Sequence, residues 1–230
     1  MDIKNNIRTL IKLANLSYSP SFAEKIANEY WQKTTVTHGD MSDAQFDFYY
    51  RELKKILNPE INDIILDYGG GNGEIAWRFK RDGYKIDHYD LSRVMRENAR
   101  KVYFLNSLEE NELEVKKGYY DKILVNNCFF YFHLKKHNEV LELLYSLLKT
   151  EGRLFITDTP DYEKRRFANG YVQGLLYMII TMVFPVYQPD LAGFWIKHKD
   201  LEMKALRIGF KTIKRMDSYC NYRSHWILEK

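Results

Sequence analysis

The sequence predicts an α/β fold built on a mostly parallel, doubly wound sheet. An apolar run at 63–67 leads through a glycine-rich turn into an amphipathic segment at 73–81, which is typical of a strand, a loop and a helix. Apolar and amphipathic segments then alternate up to residue 158, as parallel strands joined by helical crossovers require. With 230 residues, the chain is long enough for one such domain with additions.

Residues 1–58 precede the first strand and are expected to form a helical N-terminal extension. Ser21 and Ser42 are each followed three residues later by Glu or Gln, the pattern of a capping box at a helix start. Apolar residues at helical spacing follow the second box until Asn58-Pro59, where we expect the helix to end.

Residues 61–158 are expected to form the core of the sheet. The expected strands are 63–67, 84–89, 102–105, 121–127 and 153–158, and the expected helices are 73–81, 92–100 and 137–149. In such a sheet, ligands bind outside the carboxyl ends of the strands.

Residues 201–230 are expected to close the sheet with a helix at 199–208 and strands at 209–214 and 222–228. The connection between these two strands is short, so they are expected to pair antiparallel.

The insertion at 160–200 is expected to form a helical lid over the carboxyl ends of the strands, where it would bind substrate. Its apolar stretch at 174–184 is too short to span a bilayer. An alternative is peripheral contact of 164–187 with a membrane or a lipid-linked substrate, since Lys164-Arg165-Arg166 lies just upstream of the apolar stretch.

The composition limits the classes of protein to which this chain can belong. The net charge of +4 is modest and the Lys and Arg residues are dispersed, which gives no indication of nucleic-acid binding. Cys128 and Cys220 are isolated, without the spacing of a disulfide framework or a metal site. The N-terminus lacks the apolar core of a signal peptide, so we expect a reduced, cytoplasmic protein.

The glycine-rich turn is compatible with either of two cofactors. Gly71, Gly73 and Ala76 fit the G-x-G-x-x-G/A pattern of dinucleotide-binding proteins, which leaves an NAD(P)-dependent oxidoreductase as an alternative. Asp67, two residues before the glycines, would repel a pyrophosphate. The same carboxylate would stabilise the amino group and the sulfonium of S-adenosylmethionine. The acid therefore favours S-adenosylmethionine.

The segment from Leu66 to Gly73 resembles the first motif of class I S-adenosylmethionine-dependent methyltransferases, an acid followed by alternating glycines. Residues 88–92 are similar to the second-strand end of that family, 120–127 to its fourth strand and 147–156 to its turn into strand five, although Thr150-Glu151 stands where Pro-Gly is commoner. The resemblance implies one methyltransferase domain over 1–230 with a Rossmann-like seven-stranded sheet, mostly parallel with an antiparallel C-terminal hairpin.

The resemblance also implies which residues hold the cofactor. Asp90 would bind the ribose hydroxyls, although it could instead cap the helix that follows. Asn106 would contact the adenine or, alternatively, serve only the turn. The implied cofactor-binding residues are Asp67, Gly69, Gly71, Gly73, Asp90, Leu91, Asn106, Ser107 and Asn127.

The reaction implied is methyl transfer by in-line displacement, and a hydroxyl acceptor would also need a base. His133, just beyond the fourth expected strand, and Asp158, at the end of the fifth, are the candidate catalytic residues. Their alternative roles are helix entry for His133 and capping of a turn for Asp158. A protein that binds S-adenosylmethionine without catalysis is a further alternative.

A narrower resemblance bears on the acceptor. Residues 190–195 and 222–230 look like the tail of methyltransferases from bacterial surface-polysaccharide gene clusters, which implies a small-molecule or carbohydrate acceptor methylated at a hydroxyl oxygen. Trp195 suits stacking on a sugar ring but could equally be core. Arg223 and His225 share one face of the last expected strand and would face either the substrate or solvent.

Overall fold

A six-stranded sheet organises the structure, a computed structural model that describes residues 3–33, 42–168, 178–188 and 193–230. Its strands are β1 (Ile64–Tyr68), β2 (Lys85–Tyr89), β3 (Tyr120–Asn126), β4 (Leu148–Pro160), β7 (Thr212–Asp217) and β8 (Arg223–Glu229), and a separate two-stranded sheet contains β5 (Val186–Gln188) and β6 (Gly193–Phe194). The strand order in the larger sheet is β2-β1-β3-β4-β8-β7. The first four strands pair parallel, and β8 and β7 add antiparallel, which confirms the predicted fold class.

Helices cover both faces of the sheet. They are α1 (Ile3–Tyr18), α2 (Pro20–Trp31), α3 (Asp43–Leu57), α4 (Glu74–Arg81), α5 (Arg93–Tyr103), α6 (Glu110–Glu114), α7 (His137–Leu147) and α8 (His198–Ile208). Apolar residues of α3 and α4 pack on one face against Ile65 and Leu124, while α7 and α8 pack on the other against Ile123 and Leu154. Alternate residues of the same strands thus serve two cores, as a doubly wound sheet requires.

The N-terminal extension is helical, as predicted, over its described residues. Ser42 and Gln45 form the expected capping box at the start of α3, and Asn58 ends that helix in the left-handed conformation. The prediction for Ser21 is wrong by two residues, because Ser19 caps α2 by accepting a hydrogen bond from the Phe22 N–H. Pro20 then occupies the first turn, where its missing N–H and fixed φ suit a helix start.

The strand predicted at 102–105 is wrong. Helix α5 continues to Tyr103, and the only pairing of the following segment in the described chain is a parallel bridge between Ser107 and His88. The apolar run suggested a buried strand, yet Val102 is 53% and Phe104 78% exposed. Met95 and Ala99, one helical turn apart, are buried instead, so packing of the helix overrides the local β pattern.

The insertion contains a short 3₁₀ helix at Tyr162–Phe167, a helical segment at 178–183, and the strands β5 and β6. The predicted lid helix falls partly at 169–177, outside the described residues. The helical segment packs against the N-terminal extension, where the Tyr18 hydroxyl donates a hydrogen bond to the Val183 carbonyl at 2.6 Å. Within the described ranges, no helix is both long enough and apolar enough to cross a membrane.

Candidate functional site

A cleft lies at the carboxyl ends of β1, β2 and β3 and encloses about 1120 Å³, its open mouth included. The sheet side is lined by Asp67, Tyr68, Gly69, Gly70, Gly71, Ile75, Tyr89, Asp90, Leu91, Ser92, Asn126, Asn127 and Cys128, and the other walls by Glu24, Ala27, Asn28, Trp31, Tyr131, Phe132 and His133. Parallel sheets bind ligands at this edge, so the cleft is the candidate functional site.

The glycine loop between β1 and α4 is wound tightly against its surroundings. Gly69, Gly71 and Gly73 have φ values of +73°, +59° and +87°, in the left-handed region that favours glycine. At Gly70, a Cβ atom would lie only 2.5 Å from Oδ2 of Asp67. The loop therefore leaves no space for side chains next to the acid.

The N–H groups of the loop are used inside the protein. Gly69 and Gly70 donate to the Tyr89 carbonyl at 2.7 and 3.1 Å, and Gly71 donates to Oδ2 of Asp90 at 2.9 Å. A dinucleotide-binding loop instead turns its N–H groups toward a pyrophosphate. This geometry argues against the oxidoreductase alternative.

Asp67 is a buried acid that suits a cationic ligand. Its side chain is almost inaccessible, with the residue 1% exposed, and neither carboxylate oxygen forms a well-aligned hydrogen bond in the described structure, although the Ala76 N–H is near enough to lower the pKa. Burial, reinforced by the nearby charge of Asp90, raises the pKa of Asp67 from 3.8 to about 7. An ammonium or sulfonium group in the cleft would supply the missing opposite charge, so the site fits S-adenosylmethionine.

Asp90 connects the glycine loop to the start of α5. Its Oδ2 accepts the Gly71 N–H, and its Oδ1 accepts the Ser92 N–H at 2.8 Å. The helix cap of α5 is Ser92 rather than Asp90, since the Ser92 Oγ accepts the Met95 N–H. Each carboxylate oxygen keeps a second lone pair for a ribose hydroxyl. Leu91, 56% exposed, lines the cleft beside it.

His88 is a buried contact of the loop that sequence reasoning missed. Its Nε2 donates to the Gly71 carbonyl at 3.0 Å, so its Nδ1 accepts from the Ser107 hydroxyl at 2.8 Å. Burial lowers the pKa of His88 to about 4, which keeps the ring neutral. Ser107 thus supports the loop from behind, while Asn106 donates to Oδ1 of Asp87 at 2.6 Å; neither lines the cleft.

Four of the expected site residues, Asn127, Asp158, Arg223 and His225, form a cluster at the back of the cleft. The Arg223 guanidinium donates to Oδ1 of Asn127 at 2.5 Å and to the Asp158 carbonyl at 2.6 Å. The Asp158 carboxylate also accepts from Ser218, and the Asp158 N–H donates to Nδ1 of His225 at 3.0 Å. Of this cluster, Asn127 alone lines the cleft, whereas Asp158, Arg223 and His225 lie outside it.

His133 and Trp195 are committed to internal contacts. His133 lines the cleft, but its Nε2 donates to the Ser17 carbonyl and its Nδ1 accepts the Lys135 N–H, both at 3.2 Å. Trp195 is 1% exposed and packs edge-on against Tyr187 with the ring centres 5.2 Å apart. Trp195 therefore belongs to the core, which corrects the expectation of a ring-stacking contact.

Helix α2 supplies a wall of the cleft that sequence reasoning did not find. Trp31 packs edge-on against Tyr131 with the ring centres 5.3 Å apart, and its carbonyl accepts the Ser92 hydroxyl at 3.1 Å. Glu24 and Asn28 lie on the same wall. Local sequence patterns do not predict this wall, because α2 is distant in sequence from the strands whose ends it faces.

Comparisons with known proteins agree with this geometry. Residues 41–188 match the model of a family described as methyltransferase domain. The chain is 23% identical over 165 residues to the ubiquinone/menaquinone biosynthesis C-methyltransferase UbiE of Zymomonas mobilis, covering 66% of this chain and 67% of that protein.

Two solved structures are similar in fold. Magnesium protoporphyrin IX methyltransferase of Synechocystis with bound S-adenosylhomocysteine has a TM-score of 0.61 and 14% identity, covering 90% of this chain and 99% of the other. The 1,6-didemethyltoxoflavin-N1-methyltransferase of Burkholderia thailandensis has a TM-score of 0.60 and 15% identity, covering 92% and 90%. The family match extends over more than half of the chain, and the protein belongs to the methyltransferase domain family as an S-adenosylmethionine-dependent methyltransferase.

Proposed function

We propose that the protein methylates a hydroxyl oxygen of a small-molecule acceptor, and that the acceptor is a carbohydrate of the kind found in bacterial surface polysaccharides. The observation that carries the proposal is the cleft itself, which is lined both by the buried acid Asp67 and by aromatic and polar side chains of α2 and of the segment after β3. Aromatic rings stack on sugar faces, and Glu24 and Asn28 can bind sugar hydroxyls.

When bound, S-adenosylmethionine supplies an electrophilic methyl group on a sulfonium. Asp67 stabilises positive charge at the loop, and Asp90 accepts hydrogen bonds from the ribose hydroxyls. Trp31, Tyr131 and Phe132 line the cleft, where they would exclude water and help to hold an acceptor against the methyl donor.

The acceptor hydroxyl must lose a proton to a base. Since His133 and Asp158 are engaged in internal contacts, the structure supports positioning roles for them: His133 holds α1, and Asp158 holds Arg223. We propose that the carboxylate of Glu24 accepts this proton, because Glu24 lines the cleft on the side formed by α2.

A screen of acceptors tests the proposal. Purified protein and S-adenosylmethionine would be incubated with nucleotide-linked sugars, free sugars, phenols and amines, and methylated products would be detected by mass spectrometry. A methylated sugar hydroxyl is the expected result. Methylation only at nitrogen or carbon would refute the assignment of the acceptor, and a complete lack of turnover with tight cofactor binding would favour the non-catalytic alternative.

Asp90→Ala is expected to lower the affinity for S-adenosylhomocysteine about 10- to 100-fold, because the variant loses a charged hydrogen-bond acceptor for the ribose and for the loop. Isothermal titration calorimetry measures the change. Ser42→Ala is the control, since it removes the capping box at the start of α3, and neither Ser42 nor α3 lines the cleft; it should lower the melting temperature and leave the affinity nearly unchanged. Unaltered affinity in Asp90→Ala would show that the ribose binds elsewhere.

We propose, as a second property, that the protein is cytoplasmic and contacts a membrane surface from that side. The side chains of Ile179, Met182 and Val183 are 60%, 67% and 56% exposed on one helical segment, which favours an interfacial contact. Lys164 is paired with Asp217, so the apolar side chains would carry most of this contact.

A double substitution of Met182→Glu and Val183→Glu is expected to weaken sedimentation with phosphatidylglycerol vesicles about 10-fold. Met203→Glu provides a matched control, because Met203 is 55% exposed on α8. Equal sedimentation of all three proteins would exclude this contact.

A further inference from the structure

The amino-acid end of S-adenosylmethionine carries a carboxylate, which needs a hydrogen-bond donor, as well as an ammonium group. Asp67 is the acid for that group. The N–H groups of Gly69, Gly70, Gly71 and Gly73 all donate to protein oxygens, so they are not available to a carboxylate. A side-chain donor next to the loop can take their place.

Asn127 lies at this end of the cleft. Leu124 of β3 pairs with Asp67 of β1, so the residues that follow both strands come out side by side. Cys128 confirms the proximity, because its Sγ lies 2.3 Å from the position that a Cβ on Gly69 would take. Asn127 lines the cleft together with the loop.

The orientation of the Asn127 amide follows from its partner. Arg223 has only donors, so the atom that it contacts at 2.5 Å must be the amide oxygen of Asn127. Arg223 does not line the cleft, whereas Asn127 does. The amide oxygen is therefore directed away from the cleft, and the NH₂ group is the polar end left for a ligand.

Arg223 is itself held firmly. Its side chain is 13% exposed, it is paired with Asp158, and its Nη2 donates to the Tyr187 hydroxyl at 3.2 Å. The guanidinium also lies 5.3 Å from the ring centre of Phe130. A hydrogen bond from a fixed cation polarises the amide and strengthens the NH₂ group as a donor.

We propose that the NH₂ group of Asn127, positioned by Arg223, binds the carboxylate of S-adenosylmethionine. Asp67 and Asn127 then recognise the two charges of the amino-acid end from neighbouring strands. Arg223 is a positioning residue, which acts through Asn127 without touching the cofactor. The inference rests on the cofactor site described above and adds the partner of the carboxylate.

Asn127→Asp tests the proposal because the introduced carboxylate still accepts from Arg223. It also tolerates the left-handed backbone at this position, where φ is +51°. The probes are S-adenosylhomocysteine and its decarboxylated analogue, which keeps the amine. We expect the affinity for S-adenosylhomocysteine to fall about 10- to 100-fold, and the affinity for the analogue to stay the same or rise. Calorimetry with the purified protein gives both values.

Arg223→Lys is the second variant, and it keeps the charge but loses the planar fork. The same selective loss is expected at about 3- to 10-fold, which a purely structural role would not produce. Equal weakening of both probes, or no change in either, would overturn the assignment of the carboxylate. Failure of the unaltered protein to bind S-adenosylhomocysteine would refute the cofactor site itself, so the two failures are distinguishable.

Discussion

Asp67→Asn is expected to abolish the thermal stabilisation by S-adenosylhomocysteine and, at pH 8, to stabilise the ligand-free protein. The cofactor loses the opposite charge for its ammonium group, while the fold no longer has to bury an unpartnered carboxylate. A buried acid retained at a cost in stability is typical of a binding site.

The pH dependence of this effect follows from the pKa. Burial raises the pKa of Asp67 from 3.8 to about 7, so the folded protein binds this proton more tightly than the unfolded chain. The stability that the fold gains by keeping Asp67 protonated is fully present below the unfolded pKa and is lost as the pH rises through about 7. Asp67→Asn should therefore raise the free energy of unfolding by about 2–4 kcal/mol at pH 8.

Urea unfolding at pH 8 and near pH 4 measures this gain, which should be small at the lower pH because the carboxyl group of Asp67 is then protonated. Cofactor binding should follow the opposite trend: the affinity of the unaltered protein should fall as the pH drops below about 7. A gain in stability that is equal at both pH values would contradict the burial of a charged group.

Gly73→Ala is expected to destabilise the protein by about 2–4 kcal/mol, through backbone strain and overpacking together. Gly73 has a φ of +87°, and a Cβ atom there would lie 2.5 Å from Cδ1 of Leu105 and 2.9 Å from Cβ of Ala99. Both of these atoms lie in the core beneath the loop, so an alanine at this position would force the glycine loop and α5 apart.

Gly118→Ala is the matched control for backbone strain. Gly118 has a φ of +62°, but a Cβ atom there would meet nothing within 4 Å. Urea unfolding should show a loss of about 1 kcal/mol for this variant, since strain acts alone. The difference between the two variants measures the packing of the loop on α5, and equal losses would show that the loop has room to adapt.

Local patterns predicted the parts of this protein that depend on neighbouring residues. The strand, glycine loop and helix around Asp67 were predicted from about fifteen residues, because alternation, turn chemistry and helical spacing act over that range. The antiparallel C-terminal hairpin followed from its short connection. The prediction of a strand at 102–105 was wrong because an apolar run can be exposed when the adjacent helix packs more favourably.

Contacts between distant residues could not be predicted in this way. Asp158 and Arg223 are 65 positions apart, and their contact depends on the antiparallel pairing of β4 with β8. The burial of Trp195 and the position of α2 over the cleft also depend on how elements pack.

The acid and glycines that we expect to select the methyl donor can therefore be read from the sequence, since one strand and its turn contain all of them. The wall formed by α2 and the orientation of Asn127 cannot be read from the sequence, because they arise from side chains that meet only when α2 and β8 pack against the rest of the fold.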